Sequence, residues 1–148
     1  MTEKADSVEL LISGSIDSSA QLPTVKTKKN LVIRFENVDL MNSYGIKLWC
    51  KWTADHQEVL HIYLDACPFV MVKNFSSIKG FVTSNMKVRS FYVPFYNEET
   101  HESKFVLLIL NRDFFENGNL KIPNVVDSKG QPMEIDVDQK SYFQFLKK

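Results

Sequence analysis

The side chains best suited to covalent chemistry in this chain are two cysteines, Cys50 and Cys67, and three histidines, His56, His61 and His101. A thiol nucleophile needs a histidine beside it and an acid to orient that histidine. Neither cysteine sits in a pattern that supplies both. Cys50 falls on the inward side of a helical pattern and reads as a small core hydrophobe. Cys67, followed by Pro68, stands at the end of a strand pattern, where a redox or ligand role stays open although nothing nearby in sequence lowers its pKa. Asp17 and Asp65 also fall at strand ends, a place shared by catalytic carboxylates and ordinary turn residues, and neither has a paired base. Gly14-Ser15-Ile16 is no phosphate loop, since neither G-x-G-x-x-G nor G-K-[ST] occurs in the chain. These residue types point away from an enzyme and call for no cofactor.

The remaining candidate is a hydroxyl. Asn42 or Ser43 is a good helix N-cap, and Ile46, Trp49, Cys50 and Thr53 follow at helical spacing, which predicts a helix over Ser43 to His56. A phosphate on Ser43 would lie among free N–H groups at the positive end of that helix. It would bring about two negative charges to the surface, enough to break an apolar contact with a partner. The plainer role for Ser43 is the cap itself, where serine to alanine costs about 1 kcal/mol. Trp52 lies four residues beyond Leu48 on a face roughly opposite Ile46 and Trp49. That pair is either an interface anchor, as tryptophans often are, or is covered by the C-terminal part of the chain.

Strands must hold this helix in place. Val8 to Gly14 alternates, with Val8, Leu10 and Ile12 on one face, and Leu31 to Glu36 alternates likewise. Residues 16–29 form a connection without a strong period. Glu58 to Leu64 returns to period two with Leu60, Ile62 and Leu64 inward. A second helix is expected from about Val70 to Ile78, closed by Gly80, and Val88 to Tyr96 reads as an aromatic strand. The alternation of strands and helices predicts an α/β fold with a largely parallel or mixed sheet. After Pro94 the pattern changes to a polar turn, the apolar strand Phe105 to Leu110, short strand-like pieces up to Val137 and a helical ending.

Composition bounds the function. The 148 residues are 44% hydrophobic and 24% charged, which is globular in character. Eighteen basic residues balance eighteen acidic ones, so no long-range field gathers nucleic acid or an anionic membrane. Apolar runs are too short to span a bilayer, and no secretory signal is readable at Met1 to Ala20. A cytoplasmic protein with reduced thiols is expected.

Two segments together resemble the STAS domain of anti-sigma-factor antagonists. Ile12-Ser13-Gly14-Ser15-Ile16-Asp17 is similar to the family's opening strand, glycine and aspartate. Phe35 to Ile46 is similar to its second long strand, tight loop and first helical residues. The resemblance places the family's phosphorylated serine on Ser43 and its loop glycine on Gly45. The family's preceding aspartate is here Asn42 and its second serine Tyr44, two departures that remove a negative charge beside the hydroxyl. It implies a partner-binding surface of Asp17, Asn42, Ser43, Tyr44 and Gly45, extended along the helix to Leu48 and Trp52. The implied partner is a regulatory protein of anti-sigma or kinase-like type. A scaffold or homodimer role is the alternative, and a small-ligand sensor a third, because STAS folds can hold lipids or nucleotides.

The second half resembles a ribbon-like segment found in a bacterial subgroup of STAS-like proteins. Ser90 to Asn97, Met133-Glu134-Ile135-Asp136 and Tyr142-Phe143-Gln144-Phe145-Leu146 carry that likeness. Where the subgroup has zinc-knuckle cysteines, this chain has Asn97, Thr100 and the stretch 125–129, so a ribbon here is expected to be metal-free. The division expected is a STAS-like domain at 6–90 and a β-rich appendage with a C-terminal helix at 91–148.

Overall fold

The computed structural model describes residues 1–147. Strands β1 (Thr2–Glu3), β2 (Ser7–Ser13), β3 (Asn30–Glu36), β4 (Ile62–Asp65) and β5 (Met86–Val88) form a sheet in sequential order. β2 to β5 are parallel and β1 runs antiparallel at the edge, so the sheet is mixed and the class α/β. The parallel strands are joined by crossovers, as parallel pairing requires. Helix α1 (Ser43–Asp55) makes the second crossover, while the first, over residues 14–29, has no regular structure. Period-two alternation decides which face is covered. Val8, Leu10, Ile12, Leu31, Ile33 and Phe35 are buried, whereas Leu11 and Arg34 stand exposed on the opposite face. The ring of Trp49 meets that of Phe35 edge-on at 5.9 Å, which fixes α1 on the covered face.

β6 (Ser90–Tyr96), β7 (Ser103–Ile109) and β8 (Glu134–Ile135) make a second, antiparallel sheet in the order β7-β6-β8. The strand expected over 88–96 is therefore two strands in different sheets, separated by Arg89 alone. Arg89 N–H still donates to the Leu64 carbonyl, and Cys67 N–H donates to that of Ser90, so pairing continues from one sheet into the other. The chain closes with α3 (Gln139–Tyr142) and a 3₁₀ turn at Gln144–Leu146. One buried cluster runs from Val8 through Phe91 and Phe95 to Tyr142 and Phe143, so both sheets share a core.

Three expectations need correction. Leu60 is 72% exposed, because the chain turns through 57–60 and the strand begins only at Ile62. The second helix is the short α2 (Phe69–Val72), followed by turns to Gly80, whose φ of +83° ends the segment. Trp52 is 5% exposed and does not face outward.

Candidate functional site

The carboxyl ends of β2 and β3 bring the predicted loop residues together. Ile16 N–H donates to the Leu40 carbonyl at 2.9 Å, and Ile16 pairs in parallel with Met41. Asp17 and the segment Asn42 to Gly45 thus belong to one surface. Asp17 Oδ1 accepts from the Ser19 hydroxyl at 2.6 Å and the Ser19 N–H at 2.9 Å, and these bonds hold its carboxyl below the usual value. It shapes the turn beside the loop.

Asn42 caps α1: its side-chain oxygen accepts from the Gly45 N–H at 2.9 Å, and its backbone is extended. Ser43 is not the cap. It is the first helical residue, exposed, and its hydroxyl has no hydrogen-bond partner among the described residues. Gly45 is buried where the helix crosses the backbone of Ile16. A Cβ at Gly45 would stand 1.8 Å from the Ile16 carbonyl oxygen, so any side chain would push α1 off the loop. Tyr44 is 57% exposed, and Leu40, just before the cap, is 47% exposed. Leu48 is half-buried one turn beyond Tyr44 on the same helix side.

Trp52 leaves this surface altogether. Its ring stacks on Trp49 at 5.4 Å and on His56 at 3.7 Å, and its Nε1–H donates to the Pro23 carbonyl at 2.8 Å. The crossover at 20–25 thus reaches it through Pro23, while Ala20, Leu22 and the buried Val25 of the same stretch pack into the core. His56 completes the joint. Val25 N–H donates to His56 Nε2 at 2.9 Å, so that nitrogen is bare and the proton lies on Nδ1, which donates to the Trp52 carbonyl at 2.6 Å. An aperiodic connection gave no warning that it would pack as a layer. A Leu40, Tyr44 and Leu48 face therefore replaces the Leu48 and Trp52 face expected from helical spacing.

The other chemical candidates have structural surroundings. The Cys67 thiol is wholly buried, and burial first, then the nearby Asp65 charge, push it well above the usual thiol range. Partial burial also raises Cys50. Asp65 is gripped by Arg89, whose Nε donates to Oδ1 at 2.7 Å while Nη2 bonds Oδ2, and that guanidinium lies 4.8 Å over the Tyr63 ring. At the ribbon-like end, the Asn97 amide nitrogen and the Thr100 hydroxyl both donate to Asp127 Oδ2, at 2.9 and 3.3 Å. Asp127 Oδ1 accepts from the N–H groups of Gln131 and Lys129, and these bonds lower its pKa. A hydrogen-bonded knot thus ties together the two stretches where the resemblance would put cysteine knuckles. No set of three or more His, Cys, Asp and Glu side chains suited to a metal occurs among the described residues. No described helix is long and apolar enough to cross a membrane.

No family model, curated protein or solved structure matches this chain.

Proposed function

We propose that this protein is a non-enzymatic signalling module that binds a regulatory protein through the loop Asn42 to Gly45 and the start of α1, with phosphorylation of Ser43 releasing the partner. The fold proposed for residues 6–90 is STAS-like, on the resemblance of the Ile12–Asp17 and Phe35–Ile46 segments. The observation that carries the reading is the Ser43 hydroxyl, exposed and free of any capping duty, between two exposed apolar side chains, Leu40 and Tyr44. A hydroxyl so placed is open to a kinase. Once phosphorylated, it sets about two negative charges in an apolar contact, whose desolvation then opposes binding. In the unmodified state the same face offers Leu40, Tyr44 and Leu48 to an apolar patch of a partner.

The test is capture from native cell lysate by wild type, Ser43→Ala and Ser43→Asp, read by mass spectrometry. A regulatory protein held by wild type and Ser43→Ala and lost from Ser43→Asp supports the switch. Identical partner sets for all three refute it, leaving a scaffold role or self-association through this face.

A further inference from the structure

We propose that a cleft at the carboxyl ends of β3 and β4 binds a free α-amino acid with an apolar or aromatic side chain. The cleft measures about 700 Å³, in the range of small-molecule sites, and lies between the first sheet and the outward face of β6 and β7. Arg34, Glu36 and Asp39 line its polar side, and Phe69, Tyr92 and Phe105 its apolar side. A second recess, of about 430 Å³, shares Arg34 and Ala66 with it, so Arg34 stands where the two meet.

Charge selects the ligand class. Elsewhere on this sheet the charged side chains are matched: Asp65 with Arg89, Lys4 with Glu9, Lys29 with Glu3. Arg34, Glu36 and Asp39 have no ion pair or side-chain hydrogen bond among the described residues, although they lie within six residues on one cleft wall. An isolated guanidinium suits a carboxylate, which it can grip with two parallel bonds. Two unpaired carboxylates beside it suit an ammonium. One molecule carrying both groups on a single carbon is an α-amino acid. Its side chain would rest on the Phe69 and Phe105 rings, which meet at 6.0 Å, beside Tyr92.

Two residues of the cleft lining, Asn37 and Ala66, have φ of +54°, a region that asparagine enters readily and alanine at a cost of about 1–3 kcal/mol. At Ala66 this conformation is held by the N–H bond to the Ser90 hydroxyl, 2.7 Å long.

The experiment is calorimetric titration of the full chain with L-phenylalanine and L-leucine up to about 10 mM. Phenethylamine, which lacks the carboxylate, and N-acetyl-phenylalanine, which lacks the ammonium, are titrated alongside. Saturable binding of the amino acids is expected, with at least about tenfold loss for either truncated compound and for Arg34→Gln. Lys26→Gln, at an exposed site on the first crossover, should bind as wild type does. The proposal is overturned if no amino acid binds, if the truncated compounds bind equally well, or if Arg34→Gln changes nothing. Ser43→Ala should bind as wild type does, so this result is independent of the phosphorylation reading.

Discussion

Two adjacent residues at the start of α1 carry different loads, and stability measurements separate them. Asn42 holds the Gly45 N–H, whereas Ser43 holds nothing. Urea denaturation should give a loss of about 1 kcal/mol for Asn42→Ala. Ser43→Ala should stay within about 0.5 kcal/mol of wild type, as exposed substitutions do. A larger loss for Ser43→Ala would return the capping role to that serine. Capping propensity alone left both residues open in the sequence, because asparagine and serine are equally good caps. Only the position of the Gly45 N–H decides between them. The need for glycine at 45 was likewise hidden: it comes from the Ile16 carbonyl, which is 29 residues away in sequence.

Among the elements, α1 and strands β2 and β3 were legible because their periods of 3.6 and 2 are written in apolar residues, and β7 because Phe105 to Leu110 is an unbroken apolar run. The covering of α1 was not. Pro23 and Val25 lie in a stretch without periodicity, and their partners Trp52 and His56 come from the helix and its C-cap. The joint depends on His56 being neutral, since its bare Nε2 receives the Val25 N–H. His56→Leu keeps the volume but strands that N–H and the Trp52 carbonyl. It should cost about 2–3 kcal/mol by chemical denaturation, the expense of unsatisfied buried polar groups. A loss below about 0.5 kcal/mol would mean that the crossover is not pinned there. The break between β5 and β6 was also invisible, because a single residue, Arg89, changes sheets without leaving the ladder.

At the scale of the whole molecule, both sheets close on one core, and Tyr142 is among the side chains that join them. Its hydroxyl donates to the Tyr92 carbonyl at 2.6 Å, and burial pushes its pKa far above the usual value of 10.0. The folded state therefore keeps the phenol protonated, while the unfolded chain releases the proton above that value. The sign follows: this contribution is fully present below pH 10.0 and declines as pH rises beyond it. Stability measured across that range should fall less steeply in Tyr142→Phe than in wild type. Equal slopes would show that the phenol ionises alike in both states. The shared core could be anticipated only in outline, from the aromatic residues at both ends of the second half, because which rings meet is settled by tertiary packing.

The proposed control of binding at the start of α1 is a phosphate on Ser43. It is tested most directly by measuring the affinity of a captured regulatory partner for the protein carrying serine or phosphoserine at position 43. Phosphorylation is expected to weaken binding at least about tenfold, roughly 1.4 kcal/mol. Leu40→Ala or Tyr44→Ala should weaken the unmodified complex as well. Equal affinities for the two forms would contradict it.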